Sequence, residues 1–337
     1  MFSRRLTWAV APVSSLLFIA ACVGDEAAAV TAAPDAGTVE SGAPDAPPGA
    51  DAAAADAADA ADASSPPRCN PKKPFGAPVL VSGLSTSADD ASARLSADEL
   101  TVFFARGPAG TGSPDIYAAT RPSREAGWGA AELVRGVNTS GPDFSPMVTD
   151  DGLTLFYASD SAGTRGGDDI FIASRANVNS DFAGAMSLGA LGIVNTAVSD
   201  ADPYVLPNGK ALWFDVYNGV GDTEIYRSAA GPAGFTTREK VLGVGSPAVD
   251  AYPVVTPDEL TLYFASDRVD AQALGDRDIY VATRASASDS FGTPTILPAL
   301  NSADADFPTW ISRDECVLYL TRRVAGSLDI YKSERSP

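Results

Sequence analysis

The chain has 337 residues and a formal net charge of −19, from 24 Lys and Arg against 43 Asp and Glu, and it contains no histidine. The acidic balance argues against nucleic-acid binding, which needs a basic face, and against a polybasic hold on anionic lipid. The missing histidine excludes Ser-His-Asp and Cys-His catalysis and any histidine-ligated metal site.

Residues 1–21 have the pattern of a bacterial signal peptide, with two early arginines and an apolar stretch too short for a comfortable membrane span. The segment leads into Ile-Ala-Ala-Cys at residues 19–22, which resembles the lipobox of bacterial lipoproteins. The resemblance implies cleavage before Cys22 and lipid attachment to its thiol; an ordinary cleaved signal is the alternative. Because no Asp directly follows Cys22, the pattern favours the outer membrane, on its periplasmic face or at the cell surface.

Residues 22–70 are a predicted flexible tether. From residue 23 to 67 the chain is mainly Ala, Asp, Pro, Gly and Ser, with nine acidic residues and no Lys or Arg. Such a segment cannot bury enough apolar surface to offset its ordering entropy. Setting aside those nine acids and the two early arginines leaves about −12 for residues 68–337. Partners of the folded part should therefore be neutral, cationic or bridged by a metal ion.

Residues 71–337 contain a unit that occurs five times. Its clearest mark is an acidic residue followed by Ile and an aromatic residue, and successive copies lie 54, 55, 54 and 51 residues apart. The five copies begin at Asp115, Asp169, Glu224, Asp278 and Asp329. A fixed period of this size indicates a repeat architecture. An acid required in every copy is expected to be architectural, because a site for a single substrate breaks the symmetry.

Each unit is predicted to contain four short strands bounded by Gly, Pro, Asn and Asp, with hairpin chemistry at Asp-Gly 151–152 and Asn-Gly 208–209. Four strands per unit, arranged radially, predict an all-β propeller with five blades. The chain starts with one outer strand and ends with three inner ones. The simplest ring therefore pairs residues 79–81 with residues 330–332 and leaves no open edge. A six-bladed ring with one degenerate unit is the alternative.

Two sets of side chains recur at fixed places in the units. We expect the aromatic residues on the alternating strand to pack between blades; they are Phe103, Phe156, Tyr263 and Tyr319. We expect the arginines that follow the acid-Ile-aromatic string to be solvated or paired at blade edges; they are Arg121, Arg175 and Arg284.

The order Asp-x-x-Pro, Ser/Thr/Pro-Asp-Gly, Leu-Tyr-Phe-x-Ser and Asp-Ile-Tyr-x-x-x-Arg resembles the WD40-like propeller repeat of TolB and related bacterial envelope proteins. Residues 142–160 and 250–268, in units two and four, match this pattern best. Unit three departs from it with Phe214-Asp215, Glu224 and Ala230. The resemblance implies a propeller of the bacterial envelope.

The best candidate site is a set of aspartates that open the innermost strands. Repeat symmetry should bring them to one mouth of the central channel, where a carboxylate ring would bind calcium, another divalent cation, or the Lys or Arg of a partner peptide. The alternative is that each carboxylate accepts backbone N–H groups and holds its own loop. The five are Asp90, Asp143, Asp200, Asp250 and Asp306. No other cofactor is expected.

Two cysteines remain besides Cys22. Cys69 precedes the first strand and Cys316 lies in the last unit, so ring closure would make their regions neighbours. An exported location permits a disulfide that clamps the ring. A buried free thiol at Cys316, where other units have Leu, is equally compatible with the sequence.

Together these patterns favour a non-enzymatic scaffold, held to the envelope membrane by its lipid, that binds a protein or peptide. Five-bladed propellers also occur among glycoside hydrolases, which need two carboxylates about 5–10 Å apart. A glycan-binding or glycan-cleaving propeller is therefore the alternative, and glycoside hydrolysis is the enzyme class left open.

Overall fold

The computed structural model describes residues 68–337, except residues 111, 162–163, 189–193 and 220. The predicted signal peptide, Cys22 and the predicted tether up to residue 67 lie outside the described residues. The described part forms 21 β-strands. It includes no helix with the length and hydrophobicity that a bilayer span needs.

The strands form five antiparallel blades around one axis, and the blades are numbered by the chain order of their innermost strands. Strand β1 (Val79–Leu80) belongs to blade five. From the axis outward, blade one contains β2 (Asp89–Leu95), β3 (Thr101–Gly107), β4 (Asp115–Thr120) and β5 (Glu132–Leu133). Blade two contains β6 (Asp143–Val148), β7 (Thr154–Ser159), β8 (Asp169–Ser174) and β9 (Ala183–Ser187).

Blade three differs in its outer edge, where two short strands pair with the same neighbour. It contains β10 (Ser199–Val205), β11 (Ala211–Tyr217), β12 (Thr223–Gly231), β13 (Gly234–Phe235) and β14 (Glu239–Lys240). Blade four contains β15 (Asp250–Val255), β16 (Thr261–Ser266), β17 (Asp278–Thr283) and β18 (Thr295–Ile296). Blade five contains β19 (Asp306–Ile311), β20 (Val317–Val324), β21 (Ser327–Glu334) and then β1. The prediction of an all-β propeller with five blades is confirmed.

The first strand of the chain closes the ring on the last blade. Val79 lies opposite Lys332 and Leu80 lies opposite Tyr331 in an antiparallel pairing, as the sequence predicted. Because the outer edge of blade five is filled by this strand, the ring is closed by chain segments from its two ends.

Residues just before β1 reinforce the closure. Cys69 and Cys316 form a disulfide, with their Cα atoms 5.6 Å apart. Arg68 makes ion pairs with Glu99 of blade one at 2.8 Å and Asp314 of blade five at 2.9 Å. Residues 68–70, which the sequence pattern placed in the tether, therefore belong to the folded ring, because a covalent bond and two ion pairs hold them there.

Aromatic side chains pack between neighbouring blades, as the repeat pattern predicted. At four interfaces a ring on the second strand of one blade meets the ring that opens the outer edge of the next blade. The ring centroids lie between 5.7 and 6.3 Å apart in edge-on geometry. The pairs are Phe103–Phe182, Phe156–Phe235, Trp213–Phe291 and Tyr263–Phe75. Such pairs stabilise the fold beyond the effect of the apolar area that they bury, and they fix the angle between neighbouring blades.

The recurring arginines also lie in these interfaces, where they are paired at the outer edges of their blades, which is one of the two expected arrangements. Each guanidinium stacks on the aromatic ring of its own outer edge, at 4.3 Å for Arg121 and 4.5 Å for Arg175 and Arg284. Each Nε donates a hydrogen bond to a carbonyl in the hairpin turn between the first two strands of its blade. An arginine offers both a planar face and a directed donor, so it joins the turn to the outer edge.

Candidate functional site on the propeller axis

The five predicted ring aspartates are fully buried and hold their own loops. In every blade the Oδ2 atom accepts hydrogen bonds from the backbone N–H and the hydroxyl of a Thr or Ser four residues earlier, with N–O distances of 2.6 or 2.7 Å. The donors are Thr86, Thr139, Thr196, Ser246 and Ser302. The geometry is therefore that of the loop-holding alternative, and the carboxylates present no open ring to a partner.

The partner of the second carboxylate oxygen, Oδ1, differs from blade to blade. Arg106, Arg268 and Arg322 make ion pairs with it in blades one, four and five, at 2.5 or 2.6 Å. Asp200 has only Arg238 at 4.0 Å, and its Oδ1 has no hydrogen-bond partner among the described residues. Burial without a close cation raises the pKa of Asp200 to about 6.

The acids of the acid-Ile-aromatic string also have local roles. Asp169 and Asp278 accept hydrogen bonds from backbone N–H groups four residues earlier, at 3.1 and 2.9 Å. Glu224 makes an ion pair with Lys240 at 2.6 Å. Among the described residues no cluster of three or more Asp, Glu or Cys side chains is arranged to hold a metal ion. The calcium site left open by the sequence has no such donor set in this part of the chain.

A bulge in every innermost strand turns one residue toward the axis. The register of each inner pair shifts at the third or fourth residue of the strand. Four blades place a non-glycine residue there at φ between 50° and 58°: Ser92, Ser145, Asp202 and Tyr252. Blade five has Pro308 at the same place, and proline cannot adopt a positive φ. The axis is therefore lined by five different residues at a site where the repeat is otherwise regular.

Arg94 of blade one fills the middle of the axis and is 1% exposed. Its guanidinium donates to main-chain carbonyls of three other blades: Thr309 at 3.1 Å, Ser145 at 3.3 Å, and Pro203. Burial lowers the pKa of Arg94, an effect that the charge of Asp202 opposes. One cation thus ties several blades together, and the matching positions of the other blades carry Met147, Tyr204, Val254 and Trp310.

Blade three adds two buried carboxyl groups beside Arg94. Asp202 accepts a hydrogen bond from the Ser145 hydroxyl, and Asp215 accepts one from the backbone N–H of Tyr252 at 2.9 Å. The two carboxyl groups also interact with each other. Burial raises the pKa of both, and the charge of Asp202 raises that of Asp215 further. Two buried like charges repel, so the interaction favours protonation of one carboxyl group of the pair.

Aromatic and basic groups adjoin this pair. The rings of Tyr252 and Phe307 lie 4.7 Å apart, and the Arg277 guanidinium lies 5.8 Å from the Phe307 ring. Arg277 also interacts electrostatically with both Asp202 and Asp215. We call Arg94, Asp202, Asp215 and Tyr252 the axial cluster. It combines a fixed cation, a buried acid pair and an aromatic face.

The axis can be approached from two faces of the ring. We call the face where the inner strands begin the entry face, and the face where they end in hairpin turns the turn face. Tyr252 is the third of six residues in β15 and Asp202 is the fourth of seven in β10, so both lie near the middle of their strands. At the turn face, Arg313 of blade five makes an ion pair with Asp150 of blade two across the mouth of the axis. This ion pair lies over the turn-face approach to the cluster.

The site predictions missed the axial cluster, although the sequence carries a signal for it. Asp215 occupies the place of Ala105, Ala158 and Ala265 in blades one, two and four. In blade five that place is Thr321, whose hydroxyl accepts the Ser92 backbone N–H at 2.9 Å. In blade four this place is an alanine. No acceptor is needed there, because the bulge residue of the next blade is Pro308, which has no N–H. The acid is thus specific to blade three.

Comparison with known proteins supports the fold and no more. No protein-family model matches the chain, and no curated protein matches it. TolB from Acinetobacter baumannii is 14% identical with a TM-score of 0.46, and the match covers 75% of this chain and 56% of that one. The chain thus spans little more than half the length of that TolB.

Two glycoside hydrolases are similar to a comparable degree. A glycosyl hydrolase from Bacteroides ovatus is 13% identical with a TM-score of 0.50, covering 77% of this chain and 93% of that one. The alpha-L-arabinofuranosidase from Podospora anserina is 8% identical with a TM-score of 0.48, covering 79% and 98%. At such identities the likeness concerns chain geometry alone, and function has to be argued from side chains.

Proposed function

We propose that this protein is a non-enzymatic binding propeller, anchored through a lipid on Cys22 to the bacterial envelope, that recognises a protein or peptide at its entry face. The anchor rests on the lipobox-like string at residues 19–22. The observation that carries the binding role is the axial cluster. A site for one ligand must break the symmetry of a repeat, and blade three does so with Asp202 and Asp215 on the axis.

The charge of the cluster favours a cationic partner group. Arg94 and Arg277 both act electrostatically on the two carboxyl groups, but neither acid forms an ion pair within 4 Å among the described residues, and the pKa of each is still raised. A Lys or Arg side chain that approaches from the entry face would take the place of the proton on that pair. The net charge of about −12 on residues 68–337 would also steer basic segments toward the ring.

The glycoside hydrolase alternative is less well supported by this pair. Hydrolases of that type hold their two carboxyl groups about 5–10 Å apart, to leave room for the sugar or a water molecule. Asp202 and Asp215 interact with each other and are both only 4% exposed, which leaves no room for a sugar between them. We expect no release of reducing sugar from envelope or plant polysaccharides by the purified propeller.

The binding role is tested by crosslinking in cells and affinity capture of the lipidated protein. Asp215→Thr removes the carboxyl group and keeps a hydroxyl acceptor for the Tyr252 N–H, as Thr321 does for Ser92. Glu125→Gln, on an exposed loop, is the control for loss of one acid. We expect a protein captured by the wild type and the control and lost with Asp215→Thr. No captured protein, or equal capture by all three, would overturn the proposal.

The anchor is tested separately. The wild type should incorporate an alkyne-tagged fatty acid and sediment with membranes, whereas Cys22→Ser should do neither. Labelling of Cys22→Ser, or its unchanged sedimentation, would contradict the lipid assignment without bearing on the axial cluster.

A further inference from the structure

A groove of about 210 Å³ lies between blades three and four on the turn-face side, away from the axial cluster. Trp213 of β11 forms its floor and is fully buried. Arg284, which follows β17, lies on one side, and residues 239–242 and 287–291 complete the walls. The groove belongs to the interface in which Trp213 and Phe291 pack edge-on at 6.1 Å.

Two donors in this groove have no acceptor. The indole Nε1–H of Trp213 and the Nη2 of Arg284 are buried, and neither has a hydrogen-bond partner among the described residues. The Arg284 side chain is 7% exposed, and burial lowers the pKa of its guanidinium. A buried donor without an acceptor costs about 1–3 kcal/mol, more if the group is charged. Two such donors in one groove therefore point to an acceptor that arrives from outside.

The nearest carboxylate does not supply this acceptor. Glu259 is held by Arg227 through two hydrogen bonds, at 2.6 and 3.0 Å. Its Oε2 lies 3.7 Å from Arg284 Nη2, which is an ion-pair distance and too long for a hydrogen bond. Glu259 thus attracts the Arg284 guanidinium electrostatically but accepts no hydrogen bond from its Nη2.

The corresponding groove between blades four and five is complete within the chain. There the aromatic residue is Tyr263, and its hydroxyl accepts a hydrogen bond from Arg335 Nη2 at 2.9 Å. Between blades one and two, and two and three, the aromatic residues are Phe103 and Phe156, which bring no polar atom. Across these four interfaces Trp213 is the residue that places a second donor against the arginine, because an indole N–H cannot accept.

We propose that this groove binds the carboxylate of a peptide, with one oxygen accepting from Trp213 Nε1 and the other from Arg284 Nη2. A carboxylate has two acceptor oxygens, and charge-assisted bonds of this kind are the strong ones. Of the three cations that line the groove, Arg227 and Lys240 are paired with Glu259 and Glu224, so Arg284 is the one whose Nη2 still lacks a hydrogen-bond acceptor among the described residues. Leu242, at the rim, is 62% exposed and offers an apolar contact for the residue that carries the carboxylate.

This site goes beyond the proposed function, because it lies away from the axial cluster and is tested on the purified propeller without any envelope. The probes are acetyl-Gly-Gly-Leu with a free C-terminal carboxylate, its C-terminal amide, and acetyl-Gly-Asp-Leu-amide, each titrated calorimetrically. We expect the first or third peptide to bind at least about tenfold more tightly than the amide, which is the size of one charge-assisted hydrogen bond. The first peptide reports a chain-end carboxylate and the third an acidic side chain.

The decisive variant is Trp213→Tyr, which copies Tyr263 and gives Arg284 an acceptor from within the chain. We expect it to fold, with an unchanged or raised melting temperature, and to bind the carboxylate peptide at least about tenfold more weakly. Tyr263→Phe, in the neighbouring groove, is the matched control and should bind as the wild type does. Failure of both carboxylate peptides to bind, equal binding of acid and amide, or unchanged binding by Trp213→Tyr would each overturn the proposal.

Discussion

Loss of the Cys69–Cys316 disulfide should destabilise the propeller strongly, because the bond closes a very long loop. The two cysteines are 247 residues apart. In the chain-entropy account a loop of that length is worth about 5 kcal/mol, since the open unfolded chain gains that much freedom. For a domain of this size the same loss would lower the melting temperature by roughly 10 °C.

The double variant Cys69→Ala/Cys316→Leu makes the cleanest comparison. Other blades carry leucine at the place of Cys316, as at Leu100 and Leu153, so this change fills the site while it removes the thiol. The assay is urea unfolding of the propeller, followed by tryptophan fluorescence, for the wild type with and without reductant and for the variant. We expect the reduced wild type and the variant to share one midpoint, well below that of the oxidised protein.

Unfolding of the oxidised and reduced proteins at the same denaturant concentration would refute this role of the disulfide. A midpoint unchanged by reduction but lowered in the double variant would refute it too, because the lost stability would then come from packing. A shift of less than about 1 kcal/mol would mean that β1 and the Arg68 ion pairs already close the ring in the reduced protein.

Two further substitutions probe the buried charges. Asp200 has a pKa raised to about 6, so its contribution is complete below its ordinary pKa near 3.8 and is lost as the pH rises through 6. The unfolding free energy of Asp200→Asn should therefore exceed that of the wild type by up to about 3 kcal/mol between pH 5 and pH 8. Asp90→Asn breaks the ion pair with Arg106 and should be less stable than the wild type. An identical pH profile of stability for the two variants would contradict this. Arg94→Met should cost about 3–5 kcal/mol at pH 7, because it strips three carbonyls and the acid pair of their cation, and a loss below about 1 kcal/mol in urea unfolding would refute that role.

The blades were predictable from the sequence because every one of them repeats the same local choices. The acid-Ile-aromatic string, the turn residues and the opening aromatic each set one strand or one turn, and five copies leave little freedom in how the ring closes. The pairing of residues 79–80 with residues 331–332 followed from counting strands alone.

The aspartates predicted as site residues, by contrast, were chosen because they repeat. Residues that repeat in every blade are those that hold the blade structure itself. Asp90 and its four counterparts occur in every blade because every entry loop needs a buried acceptor. The residues of the axial cluster meet only after five strands converge, and the bulge that turns Asp202 inward has no strong sequence mark. Asp215 was visible as a departure from the pattern, but its partners Arg94 and Tyr252 lie 121 and 37 positions away along the chain.

Binding of a protein partner at the entry face can be tested by site-specific photocrosslinking in intact cells. A photoreactive side chain at Leu274, in the entry-face loop between β16 and β17, is compared with one at Val178, in the turn-face loop between β8 and β9. Both side chains are exposed, at 53% and 56%. We expect a discrete protein adduct from residue 274 that disappears with Asp215→Thr, and none from residue 178. An adduct from residue 178 alone, or no adduct from residue 274, would contradict binding at the entry face.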